Sequence, residues 1–170
     1  MNLQRQRGSF SISASRWLWL SAAVILVDQA TKLWIVANFE LFESRYVFEY
    51  FNLTRLHNTG AAFSFLAGAS GWQRWFFIFL GIGVSIFIMA WLRTLPPKGQ
   101  SWLSAGLALI LGGALGNVID RAVYGHVVDF LHFHYGDAYF PAFNAADSAI
   151  TAGAICLIID ALLGQKTNQP

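Results

Sequence analysis

The sequence predicts an α-helical integral membrane protein: four transmembrane helices with a small extramembrane β-sheet platform formed by the outward-facing loops. Three observations carry this. Of 170 residues, 56% are hydrophobic and 12% charged, about half the charge of a soluble domain. Four apolar stretches each approach the roughly twenty residues needed to cross a hydrocarbon core. Between two pairs of these stretches lie longer loops rich in aromatic and β-branched residues, which favour strands. Mean hydropathy is +0.49. A net charge of +2 with no basic run argues against a nucleic-acid partner. The single Cys156 lies in an apolar stretch. It forms no disulfide framework or thiolate metal site, and reads as a small packing residue. The whole chain, 1–170, reads as one membrane domain.

The first span covers about 17–39 and is apolar except for Asp28, Gln29, Thr31, Lys32 and Asn38. Its basic start suggests a signal peptide, but the run continues past Lys32 without a small-x-small cleavage site, so it reads as a retained helix. Asp28 and Lys32 stand four apart and face the same way, either as a structural ion pair or to order loop residues of a site. The outward loop of about 40–71 holds Tyr46–Leu56, a strand candidate, followed by a turn signal at His57–Gly60. The second span, about 72–92, has no charge after Arg74 and is ended by Pro96–Pro97. The third, about 102–119, carries Gly112, Gly113 and Gly116, small residues that let another helix approach, and is bounded by Asp120–Arg121. The second outward loop, about 120–144, holds another strand candidate at Val127–His134, able to pair with the first. The fourth span, about 145–163, carries Asp147 near its start and Asp160 near its end. Trp17, Trp34, Trp72, Trp75, Trp91 and Trp102 cluster at span ends, as an interfacial belt requires.

Orientation follows from lysine and arginine near the span ends. Arg5, Arg7, Arg16, Arg93, Lys98 and Lys166 share one side of a four-span chain, while Glu40, Glu43, Glu49 and Asp137 lie opposite with Arg45, Arg55, Arg74 and Arg121. Both termini are therefore expected in the cytoplasm and both long loops outside.

Asp129 and Asp147 each sit at the edge of an apolar segment. An ionisable residue at that depth is expensive and marks a functional candidate. Antiparallel neighbouring helices would bring the two ends of the second loop together. Two adjacent carboxylates cannot both ionise, so one keeps a proton and the pair offers a base and an acid near neutral pH. Amide hydrolysis needs both roles. Asn58, Asn144 and Arg121 are candidates to hold carboxylates or bind a carbonyl. The plainer alternatives are that Asp147 caps a helix and that Asp129 is a solvated loop acid. His132 and His134, with His57 or His126, raise a zinc site, but no helical H-E-x-x-H accompanies them and no metal is assigned. A proton-coupled transporter would place its charges near the midplane within repeated halves, neither of which is visible. A helix-packing scaffold would leave both edge aspartates without a task.

Asp28-Gln-Ala-Thr-Lys32, Asn58-Thr-Gly-Ala-Ala-Phe-Ser64, Gly116-Asn-Val-Ile-Asp-Arg121, Val127-Val-Asp-Phe130 and Phe143-Asn-Ala-Ala-Asp-Ser148 together resemble bacterial lipoprotein signal peptidase (signal peptidase II) in order and spacing, from about Trp17 to Asp160. The resemblance implies an intramembrane aspartic endopeptidase of the bacterial inner membrane. Its substrates would be prolipoproteins carrying a diacylglyceryl group on cysteine, cut just before that cysteine. It implies Asp129 and Asp147 as the catalytic pair, with Asn58, Asn117, Arg121 and Asn144 around them. Asp28 and Lys32 take supporting positions, and Gly60 lies with Asn58 at the edge of the sheet that clamps the peptide. No cofactor or metal is implied. The partners expected are the prolipoprotein and membrane lipid, the chain acting as a monomer with its site near the periplasmic face.

Overall fold

The computed structural model describes residues 12–60, 71–96 and 99–166. Arg5, Arg7, Lys98 and the Ala61–Ser64 part of one motif lie outside them, as does the side chain of Lys166. Among the described residues, four helices are long and apolar enough to cross a membrane: α1 (Ile12–Asn38), α2 (Trp72–Thr94), α3 (Ser101–Tyr124) and α4 (Ala145–Lys166). Their outer faces are apolar and open, with Leu26, Phe79 and Phe87 each more than 60% exposed. Such surface belongs in lipid, as in a multi-pass membrane protein.

Helix ends follow local chemistry. The last carbonyls of α1 have no helical partner, and arginines from the following loop supply donors. Arg55 Nη1 donates to Phe39 O at 2.7 Å and Val36 O at 3.2 Å, and Arg45 Nη2 to Asn38 O at 2.6 Å. Leu95, which precedes Pro96, is extended and closes α2. Gly125 at φ 82° closes α3, its N–H reaching Arg121 O at 3.2 Å. The sequence placed the edge of this span at about 119, yet the helix runs on to Tyr124. Asp120 and Arg121 are buried with polar partners rather than solvated, so the turn they occupy has no reason to unwind.

Helix α3 is the axis, packing against α1, α2 and α4. Its glycines allow the close approach. A Cβ on Gly112 would stand 2.8 Å from Ser21 O of α1, and one on Gly113 would collide with Ala146 O of α4. Among the described residues, α2 shares an extensive interface with α3 and with neither α1 nor α4.

The sheet orders its strands β1 (Ser44–Phe48), β2 (Phe51–Asn58), β3 (Val127–Tyr135) and β4 (Ala138–Tyr139), each antiparallel to the next. The pairing of the two loops is as the sequence suggested, with Phe51 opposite Phe133 and Asn58 opposite Val127. Two details differ. The stretch Tyr46–Leu56 is not one strand but a hairpin turning at Glu49–Tyr50, with Phe48 opposite Phe51. The expected turn at His57–Gly60 begins later, because His57 and Asn58 still pair with Val128 and Val127. Ile35 of α1 and Phe39 just beyond its end pack with Val128 and Phe130, which fixes the sheet over the end of the bundle.

Candidate active site

Asp129 lies on β3, two residues inside the strand, and is 3% exposed. Asn144 Nδ2 donates to its Oδ1 at 2.7 Å and Asn58 Nδ2 to its Oδ2 at 3.0 Å. Burial above all, and then the charge of Asp147, push the Asp129 carboxyl up to about 7, while the two amide hydrogen bonds pull the other way. It is no solvated loop acid.

Asp147 stands in the first turn of α4. Asn144 Oδ1 accepts from Asp147 N at 3.0 Å, and Asp147 Oδ2 accepts from Asn144 N at 3.2 Å. This reciprocal pair is a capping box, so the capping role foreseen for Asp147 exists. It leaves Oδ1, which accepts from Asn117 Nδ2 at 2.8 Å. Capping uses one carboxylate oxygen, and the other belongs to the cluster.

Asn117 ties this cluster to α1. Its Oδ1 receives Lys32 Nζ at 3.0 Å and Asn144 Nδ2 at 3.3 Å. An ammonium only donates, so Lys32 fixes which end of the amide faces Asp147. Lys32 Nζ lies 2.9 Å from Asp28 Oδ2 and 2.9 Å from Asp120 Oδ2, all three side chains nearly inaccessible. Asp28 Oδ1 in turn accepts from Ala146 N at 2.9 Å, beside Asp147. Gly116 is required here: a Cβ on it would stand 2.6 Å from Asp28 Oδ2. Asp28 and Lys32 form the expected ion pair, and Asp28 also holds the first turn of α4 rather than a loop.

Arg121 and Gly60 close the opposite side. Arg121 Nη2 donates to Gly60 O at 2.7 Å, and Gly60 N donates to Asn58 Oδ1 at 3.0 Å. Asn58 is thereby aimed at Asp129. The guanidinium also donates to Asn117 O at 3.3 Å and stacks over the Phe77 ring of α2, 5.1 Å from its centroid.

All nine residues singled out from the sequence therefore fall in one connected cluster. Asp129, Asp147, Asn58, Asn117 and Arg121 line a cavity of about 680 Å³. Its remaining wall is mostly apolar, with Phe140 and Phe143 from the loop before α4 and Ile150 and Ile155 from α4, beside Ser148 and Thr151. From Asp147 to Ile155 the cavity follows α4 for about 12 Å at the helical rise. Sequence reasoning passed over three features. Asp120 stood at the expected span edge, and only its neighbourhood to Arg121 hinted at a role. Gln29, whose Nε2 donates to Asp120 Oδ1 at 2.9 Å, was grouped with Asp28 but given no task. The Phe140–Phe143 wall had no signal beyond aromatic content.

The histidines stand elsewhere. His132 and His134 alternate onto the strand face opposite Asp129, each ring 5.1 Å from that of Tyr139. His57 and His126 stack on each other at 3.6 Å. Among the described residues, no three His, Cys, Asp or Glu side chains gather as a metal site would need.

Comparison with known proteins bears on this cluster. The family model described as signal peptidase (SPase) II matches residues 20–163. A lipoprotein signal peptidase of Shewanella woodyi is 52% identical over 151 residues, covering 88% of this chain and 85% of its own. One from Pseudomonas putida is 49% identical over 156 residues, covering 91% of each. A solved bacterial membrane enzyme, determined by the in meso method, superposes with a TM-score of 0.80 at 30% identity over 98% of this chain and 97% of its own. The matched segment spans every residue of the cluster, and the similarity extends to the fold: this chain belongs to the signal peptidase (SPase) II family of peptidases.

Proposed function

We propose that the chain is an intramembrane aspartic endopeptidase that removes the signal peptide from diacylglyceryl-modified prolipoproteins, cutting just before the lipidated cysteine. One observation carries the reading. Two carboxylates from different elements line one cavity, and Asn144 and Asn117 bridge them. One of the two is buried and raised to about 7. Such a pair holds one proton between its members in the neutral range and titrates as a unit. The ionised carboxylate takes a proton from a water molecule, whose oxygen attacks the scissile carbonyl carbon. The protonated partner donates to the carbonyl oxygen as negative charge develops there. Collapse of the tetrahedral intermediate breaks the C–N bond, and a carboxyl proton goes to the leaving amine. The intermediate is never covalently bound to the protein.

The apolar wall suits a substrate that arrives within lipid. A signal helix passing between α2 and α4 would lie along α4, with its small-residue end beside Asp147. The diacylglyceryl chains would remain in the bilayer. The charge bias of the loops supports an inner-membrane protein with cytoplasmic termini and a periplasmic site.

The test is cleavage of a diacylglyceryl prolipoprotein by purified protein in detergent, with Asp129→Asn and Asp147→Asn alongside and a chelator in parallel. Chelator-insensitive cleavage, lost in both folded variants, is expected. Cleavage surviving in either variant removes that aspartate from the pair.

A further inference from the structure

The paired ends of β2 and β3 divide two cavities. Asn58 stands opposite Val127 and His57 opposite Val128, and neighbours along each strand point to opposite faces. On one face Asn58 reaches diagonally to Asp129 at 3.0 Å, and both line the large cavity with Val127. On the other face His57 meets His126, the residue just before β3, on the matching diagonal. These two line a second cavity of about 130 Å³ with Val128. The two contacts grip the same strand end from opposite sides. Peptide hydrolysis gives the histidine contact no task.

Its form suits a hold on His57. The rings lie 21° from parallel with centroids 3.6 Å apart. His126 is itself anchored at the end of α3, its ring donating to the Tyr124 backbone and packing 6.2 Å from the Tyr124 ring. Among the described residues, no hydrogen-bond partner meets the buried Nε2 of His57. Ring contact, rather than a polar bond at that nitrogen, holds the imidazole. Asn58 is the next residue on the strand, so a shift of His57 carries the Asn58 amide away from Asp129.

Charge acts on this contact. Burial is the first cause holding both imidazoles below their ordinary value. His126 and Arg55 add to it at His57, and Arg55 adds to it at His126, where Asp120 and the Tyr124 backbone work the other way. Gln29 and Lys32 of α1 face the same cavity, Lys32 lying 2.9 Å from Asp120. On the α2 side the nearby cation is Arg74, which donates to Ala122 O at 2.8 Å. At neutral pH the two rings are uncharged and stack. In acid, a proton on each sets two cations face to face beside Arg55.

We propose that His57 and His126 are positioning residues whose stack keeps Asn58 on Asp129, and that protonation of both rings releases it. This rests on the aspartic reading, because Asn58 acts through Asp129.

The experiment is steady-state cleavage of a diacylglyceryl prolipoprotein by the full-length protein in detergent, with kcat and KM followed from acid to neutral pH. His126→Ala lowers kcat by about tenfold near neutral pH, with KM within about twofold of wild type. His126→Phe restores a flat ring that takes no proton. Its kcat recovers to within about twofold of wild type, and the acid limb of its profile lies at lower pH. A folded Ala variant with wild-type kcat overturns the proposal, as does a folded Phe variant that stays as slow as Ala. An acid limb that the Phe variant leaves in place overturns it too. Should the Ala variant fail to fold, the Phe variant still decides through that limb. Asp129→Asn in the same series separates the two ideas. If it remains active, the aspartic reading itself fails. If it is inactive while His126→Ala keeps wild-type kcat, only the role of the histidine stack falls.

Discussion

Asn144 and Asp147 exchange hydrogen bonds in both directions across the first turn of α4, at 3.0 and 3.2 Å, while the amide of Asn144 also reaches Asp129 at 2.7 Å. One side chain thus caps a helix and bridges the carboxylate pair. The two duties are separable by substitution. Asn144→Ser retains a capping oxygen but is too short for Asp129. Asn144→Ala loses both.

The expected outcome is that Asn144→Ala lowers unfolding stability by about 1 kcal/mol or more for the lost cap. Asn144→Ser recovers most of that. Both variants lose activity by about 100-fold, because Asp129 is left without its amide partner. Thermal melts and cleavage rates on the same preparations read the two effects independently.

A carboxyl lifted from 3.8 to about 7 by folding holds its proton more tightly in the fold than in the unfolded chain. Its stabilising contribution is therefore complete below 3.8 and is lost as pH rises through about 7. Asp129→Asn removes the cost of ionising a buried group. The variant should melt at a higher temperature than wild type above about pH 8, with the difference shrinking below about pH 4. Melting curves across that range check it, and a constant offset would contradict the cause given.

Glycines on two helices should respond in opposite directions. Gly83 on α2 has nothing within 4 Å of an added Cβ, so Gly83→Ala should stabilise by up to about 1 kcal/mol. Gly113→Val drives side-chain carbons into Ala146 O and Ile150, and should prevent α3 and α4 from packing. Folded yield on size-exclusion chromatography and unfolding in denaturing detergent distinguish them.

Arg121 acts through a planar fork that donates to Gly60 O and Asn117 O and stacks on Phe77. A lysine keeps the charge and loses that geometry. Arg121→Lys should lower kcat by roughly 10- to 100-fold through the loosened Asn58 arm. Full activity in the lysine variant would show that charge alone matters there.

The parts of this fold that were legible in the sequence are those that a solvent argument governs. Lipid demands long apolar helices, and an aspartate at the edge of one stands out because its cost is high. The hairpin at Glu49–Tyr50 escaped notice because neither residue has the backbone preference of a turn former, and cross-strand contacts such as Phe48 with Phe51 decide it. Asp120 escaped for a different reason. From sequence, an acid followed by Arg121 at the end of an apolar run looks like a helix reaching water. Only the arrival of Lys32 and Gln29, about ninety positions away, turns it into an interior residue. The wall of Phe140 and Phe143 depends on loop geometry, which hydrophobic periodicity does not encode.

The i,i+4 spacing of Asp28 and Lys32 has a consequence for biogenesis. Chain order presents α1 to the membrane before α3 or α4, when Asn117, Asp120 and the Ala146 amide do not yet exist as partners. At that stage the two opposite charges, one turn apart, already neutralise each other within a single helix. The first span carries its own counterion into the bilayer. The later helices then assemble around a cation already lodged at the depth where the carboxylates will meet.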